Sequence, residues 1–192
     1  MSLAVAPPKK VWTEAELQAL PDDGYIHELV AGELVTSPKK NFEHEHIGTR
    51  LLTALENFNQ AHRLGAVLGS SFGCWMHNQN CRAPDLSFIP KTRLRSMGFT
   101  PSTRKFLPGA PDLVVEILSP TTQTNDRQMK AQLYAKYAVP HYWIIDPDKE
   151  TLQAYALAGT QYNLVSQAQS GDPFTTTAVF PGLSFQISDL WA

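Results

Sequence analysis

The chain predicts an α/β or α+β fold, a mixed β-sheet flanked by helices. Three observations carry this. Residues 111–120, Pro-Asp-Leu-Val-Val-Glu-Ile-Leu-Ser-Pro, form an aliphatic, β-branched run bounded by prolines, which reads as a strand in the middle of a sheet. Between Asn41 and His62, Ile47, Leu51, Leu52, Leu55 and Phe58 recur at helical spacing. Residues 151–157 and 161–166 alternate around Ala158-Gly159-Thr160, a hairpin pattern. Helices and strands intermixed along one chain belong to a sheet with helices packed on it.

The elements follow in order. Residues 1–11, with Pro7-Pro8-Lys9-Lys10, read as a loose terminal arm ahead of a single domain spanning 12–192. Thr13 and Glu16 make a capping-box pattern for a short helix, Glu14 to Leu20, which Pro21-Asp22-Asp23-Gly24 ends as a turn. The runs Tyr25–Val30 and Glu33–Val35 around Ala31-Gly32 predict a β-hairpin. After the long helix, Gly65 reads as its stop, 66–76 as strand-like, Asn78-Gln79-Asn80 as a turn and 85–89 as a short strand. Residues 90–110 read as a long basic connection carrying Lys91, Arg93, Arg95, Arg104 and Lys105. Past the 111–120 strand come a helix from about Asn125 to Ala138, a buried-type strand Tyr142–Pro147, the second hairpin and a last strand, Leu183 to Ile187.

Composition narrows the function classes. A length of 192 residues supports a real core without staples, and 43% hydrophobic with 18% charged residues is ordinary for a folded protein. The net charge of −2 gives no bulk attraction to nucleic acid, so such binding would need a local basic patch or a metal. Cys74 and Cys81, without other clustered ligands, argue against a disulfide framework or zinc ribbon and for a reducing compartment. No secretion signal and no stretch approaching the ~20 apolar residues of a membrane span is visible, so a cytoplasmic location is expected.

Charge within the core strands is the chemical signal. A central strand normally excludes carboxylates because burying an unpaired one is costly. Yet 111–120 carries Asp112 and Glu116, and Pro84-Asp85 opens an earlier strand. Asp112 and Glu116 share a face but stand roughly 13 Å apart, too far to share one ion. If strands 85–89 and 112–118 pair antiparallel with Ile89 opposite Asp112, Asp85 falls opposite Glu116 with Cβ atoms ~5 Å apart. Two carboxylates so close suit a hard cation such as Mg²⁺, with oxygen ligands and retained waters. Asp126, Lys130 and Tyr134 share one face of the following helix, and from there the Lys130 ammonium could reach a phosphate or water near Glu116. The plainer alternatives are a turn role for Asp112, a structural ion pair for Glu116 and a solvated helix lysine at 130.

These residues also carry a resemblance. Tyr-Ile-His-Glu-Leu-Val-Ala-Gly-Glu-Leu-Val (25–35), Glu-His-Ile (45–47), Arg-Ala-Pro-Asp-Leu (82–86), the 111–120 run, Lys130 with Tyr134, and His-Tyr-Trp-Ile-Ile-Asp-Pro (141–147) occur in that order. The ordered set resembles the putative restriction endonuclease family of the PD-(D/E)XK nuclease superfamily, over roughly residues 12–191. The resemblance implies a restriction-endonuclease-like core and Mg²⁺-dependent hydrolysis of DNA, with Mn²⁺ as a substitute ion. It assigns the metal to Asp85, Glu116 and the Ile117 carbonyl. The superfamily's lysine would stand at 118, where this chain has Leu118, and Lys130 on the next helix takes its place. Glu28 matches an additional acidic residue that binds a second ion or positions Lys130. His46 lies at the family-like helix start, with a helix-capping role as the alternative. DNA is the expected partner, with the 91–105 segment as the candidate phosphate contact and a homodimer supplying two sites. The rival readings are an inactive nuclease-fold binding module and a hydrolase of RNA or nucleotides. Trp75 and Trp143, in strand-like segments, are expected in the core rather than stacked on bases.

Overall fold

The computed structural model describes residues 10–77, 79–98, 106–119, 125–176 and 178–192, with backbone alone at 125–127. The chain runs α1 (Glu14–Gln18), β1 (Ile26–Val30), β2 (Glu33–Ser37), α2 (Phe42–His62), β3 (Gly65–Gly69), β4 (Gly73–His77), β5 (Asn80–Arg82) and β6 (Leu86–Pro90). It continues through α3 (Lys91–Ser96), β7 (Phe106–Pro108), β8 (Leu113–Ile117), α4 (Asn125–Lys136), β9 (His141–Asp146), β10 (Thr151–Ala158) and β11 (Gln161–Gln169). The last elements are β12 (Pro173–Thr176), β13 (Leu183–Gln186) and a 3₁₀ turn, Ile187–Leu190. A mixed sheet flanked by helices is therefore the observed class. A six-stranded sheet runs β11-β10-β9-β8-β6-β3, a five-stranded one β2-β1-β5-β4-β7, and β12 pairs with β13.

The central strand β8 explains the layering. Leu113 to Ile117 are all buried, and alternate side chains go to opposite faces. Leu113, Val115 and Ile117 pack with Ile47, Leu51 and Leu55 of α2. Val114 packs on the other side with Ile144, Tyr142 and Tyr134, the last from α4. β8 and β9 run parallel, and α4 is the crossover that a parallel pair requires. β6 lies antiparallel on the other edge of β8. Trp143 is buried in the α2-side core and Trp75 is partly buried, as their strand positions predict.

Local signals place the helices. Thr13 and Glu16 form the capping box at α1, with Thr13 N donating to Glu16 Oε2 at 2.9 Å and Glu16 N to Thr13 Oγ1 at 3.3 Å. Asn41 caps α2 by accepting from His44 N at 2.9 Å, a contact worth about 1 kcal/mol. Ala31 (φ 51°) and Gly32 (φ 82°) supply the two positive φ angles of the tight β1–β2 turn.

Several boundaries differ from the sequence expectation. The stop of α2 is Arg63 in the left-handed region (φ 56°), while Gly65 opens β3, where a Cβ would stand 2.0 Å from the Ile89 carbonyl oxygen. Residues 66–76 divide into β3 and β4, which join different sheets. The expected 90–110 connection contains α3 and β7, and Arg104 and Lys105 fall outside the described residues. Residues 1–9 of the expected arm and Asn78 of the expected turn also fall outside them.

Candidate functional site

The pairing of β6 with β8 builds the site. Leu86 stands opposite Val115, Ser87 opposite Val114 and Phe88 opposite Leu113. That is the register with Ile89 facing Asp112, and it brings Asp85, just ahead of β6, level with Glu116. Both carboxylates are buried, Asp85 at 5% and Glu116 at 4% exposure. Burying two acids side by side demands compensation from every oxygen.

Each carboxylate meets that demand with one oxygen held by fixed donors and the other facing an ammonium group. Asp85 Oδ2 accepts from Ile117 N at 2.7 Å and lies 3.1 Å from His44 Nε2. Asp85 Oδ1 faces the Lys40 ammonium at 3.7 Å. Glu116 Oε1 accepts from the Tyr134 hydroxyl at 2.5 Å, and Oε2 from Lys130 Nζ at 2.8 Å. The helices on the two faces divide the work: α2 and the residue before its cap serve Asp85, and α4 serves Glu116.

The electrostatics follow. Burial pushes the Glu116 carboxyl above its ordinary range. Lys130 opposes that rise and the Asp85 charge adds to it. Burial acts upward on Asp85 too, but the His44 hydrogen bond and charge, Lys40 and the Ile117 N–H outweigh it and hold the group low. Burial, reinforced by the Glu116 charge, drives the Tyr134 phenol well up, so it remains a donor at neutral pH. The pair is thus unequal, with Asp85 the more readily ionised.

The other expected site residues are placed as follows. Glu28, on β1, accepts from Ala83 N at 2.8 Å and lies 3.2 Å from Arg82 Nε. It braces the segment that leads into Asp85, and both Glu28 and Arg82 act electrostatically on the Tyr134 hydroxyl. Asp112 pairs with Arg93 of α3, which also donates to the Ala110 carbonyl at 2.8 Å, so it serves the entry to β8. His46 turns away from the carboxylates, 3.0 Å from the Ala192 carbonyl and stacked on Phe42. The histidine at the site is His44, which the sequence reading passed over. Its signal was its place on the buried stripe of α2, three residues before Ile47 and seven before Leu51. Of the basic segment, Lys91, Arg93 and Arg95 lie on α3.

The oxygen set fits a hard divalent cation. Asp85 Oδ1 and Glu116 Oε2 each face a lysine ammonium, so both oxygens already lie beside positive charge, as ligands of a hard cation would. Among the described residues no three His, Cys, Asp or Glu side chains cluster closely enough to hold a metal by themselves. The Ile117 carbonyl and water would complete the shell. A cleft of ≈ 70 Å³, lined by His44, Glu45, Gly48, Thr49, Asp85 and Ile117 among others, opens onto the site from the α2 side. A larger cavity of ≈ 600 Å³ lies between α4 and β9–β11, among Leu118, Tyr142, Tyr155 and Tyr162, and contains neither carboxylate. No helix among the described residues is long and apolar enough to cross a membrane.

Comparisons with known proteins give the chain's family and a similar fold. The family model described as "Putative restriction endonuclease" (Uma2) matches residues 14–188. In fold, the chain is similar to a crystal structure titled as a putative nuclease from Anabaena variabilis ATCC 29413. The TM-score is 0.72 at 20% identity, over 92% of this chain and 96% of that one. No curated protein matches. The match runs from the start of α1 into the closing 3₁₀ turn and contains every residue of the paired-carboxylate site, and the chain belongs to the Uma2 family of putative restriction endonucleases.

Proposed function

We propose that this protein is a divalent-metal-dependent endonuclease that hydrolyses phosphodiester bonds in DNA. The observation that carries the reading is the divided use of the two carboxylates, one oxygen of each held by short hydrogen bonds from the fold and the other turned toward a lysine ammonium. Asp85 Oδ1, Glu116 Oε2 and the Ile117 carbonyl would hold Mg²⁺ or Mn²⁺. When bound, such an ion supplies Lewis-acid stabilisation of the phosphate and lowers the pKa of a water.

The chain's own residues do the remaining work. Ile117 N–H and His44 fix the rotamer of Asp85, so that its second oxygen keeps one direction. Tyr134 does the same for Glu116. Lys130, 2.8 Å from Glu116, places an ammonium where negative charge develops on a phosphate oxygen and orients the attacking water. It stands on α4 rather than on β8, where Leu118 takes the place two residues beyond Glu116. Lys91 and Arg95 on α3 are available for backbone phosphates. Cutting both strands of a duplex needs two such sites, which a homodimer would supply.

The test is plasmid cleavage in Mg²⁺ or Mn²⁺ by the wild type and by Glu116→Ala, with circular dichroism on both. Metal-dependent nicking by the wild type, abolished in a folded Glu116→Ala protein, is the expected result. Cleavage retained by that variant would remove Glu116 from the site.

A further inference from the structure

Lys130 and Lys40 both face an acidic oxygen, but they are held differently. Lys130 Nζ makes a full hydrogen bond to Glu116 Oε2 at 2.8 Å from the middle of α4. Lys40 stands outside α2, immediately before the Asn41 cap, and its ammonium is 3.7 Å from Asp85 Oδ1. That distance is an ion pair without a hydrogen bond. Asp85 Oδ2 already has two short partners, so Lys40 is not needed to orient the carboxylate. Its contribution is charge alone: a flexible, partly exposed side chain (26%) beside a carboxylate at 4%. The next lysine back, Lys39, is exposed and leans over Gly24 instead.

We propose that Lys40 is a placeholder for the divalent cation, a positioning residue that neutralises Asp85 Oδ1 while the metal is absent and must leave that oxygen when the metal binds. This rests on the metal-dependent reading above. The physical reason is competition. An ammonium 3.7 Å from Oδ1 repels an incoming ion at short range, where screening by salt is weakest. Lys40 therefore lowers metal affinity and stabilises the metal-free protein, two effects of opposite sign from one side chain. A lysine stem has several rotatable bonds and Lys40 lies outside α2, so the exchange is a side-chain movement that needs no shift of the helix or the strands.

The opposite signs give the test. Mn²⁺ binding by isothermal titration calorimetry is compared for the full-length wild type, Lys40→Met and Lys39→Met, with thermal unfolding of each in chelator and in Mn²⁺. Lys39→Met removes the same net charge one residue away and controls for bulk electrostatics. Lys40→Met is expected to bind Mn²⁺ about tenfold more tightly and Lys39→Met within about twofold of the wild type. Lys40→Met should also melt at a lower temperature in chelator and gain more from Mn²⁺ than the wild type does. Lys40→Gln should repeat the sign. Unchanged or weaker Mn²⁺ binding in Lys40→Met, or equal tightening in Lys39→Met, overturns the placeholder role while leaving the metal site standing. A wild type that binds no Mn²⁺ at all overturns the metal-dependent reading, and the placeholder with it.

Discussion

The Tyr134 hydroxyl donates to Glu116 Oε1 at 2.5 Å, and both groups are buried. Tyr134 is thus a structural donor to an acid that the core would otherwise reject. Removing the hydroxyl leaves a carboxylate oxygen buried without its fixed partner, at a cost of about 1–3 kcal/mol. Urea unfolding of Tyr134→Phe should show a loss of that size. Nicking activity should fall about 10- to 100-fold, because Glu116 loses the contact that orients it. A Tyr134→Phe protein as stable and as active as the wild type would show that the contact is dispensable.

The position of the active-site lysine gives a second expectation. Glu116 and residue 118 share one face of β8 and its extension, so a lysine at 118 would project toward the same side as the Lys130 ammonium. Lys130→Met should lower metal-dependent cleavage at least 100-fold. Leu118→Lys in the same chain should restore part of it. Restoration would show that the ammonium matters and its helix does not, whereas full activity in Lys130→Met alone would remove Lys130 from the chemistry.

The acidic pair was legible in the sequence, and the histidine was not, for a physical reason. Strand alternation limits which residues of 85–89 and 112–118 can meet; the register that sets Asp85 opposite Glu116 across the long 90–110 connection has to be assumed, and the observed pairing has that register. The four-residue spacing of Lys130 and Tyr134 put both on one helix face, and both reach Glu116. His44 and His46 are two apart on α2, about 200° around the axis, so only one can face the strands. The Ile47–Leu51–Leu55 stripe selects His44, but motif resemblance drew attention to His46. Lys40 has no periodic signal because it precedes the helix. α3 was missed because Lys91–Ser96 buries no residue and so shows no apolar stripe. The division of 66–76 into two strands depends on a change of sheet, which no local pattern encodes.

The two cysteines offer a check on the core around β4 and β5. Both are free and buried, with burial pushing the Cys74 thiol up to about 12 and the Cys81 thiol higher still. A raised thiol pKa means the reactive thiolate is scarce well above neutrality. At pH 8 the thiolate fraction of Cys74 is about one in ten thousand, and it rises only as the pH climbs toward the raised value. Native protein should therefore be nearly inert to Ellman's reagent at pH 8, with both thiols reacting promptly in denaturant. Fast reaction of either one in the native protein would contradict the burial of these strands.

The most direct test of the paired-carboxylate site is a crystal structure of the wild type soaked in Mn²⁺, with anomalous data. The expected result is one strong anomalous peak within bonding distance of Asp85 Oδ1, Glu116 Oε2 and the Ile117 carbonyl. Lys40 should have moved off Asp85, while His44 and Tyr134 stay on Oδ2 and Oε1. Absence of a peak there at saturating Mn²⁺, with both carboxylates still paired to their lysines, would contradict the assignment of this site to a metal-dependent nuclease.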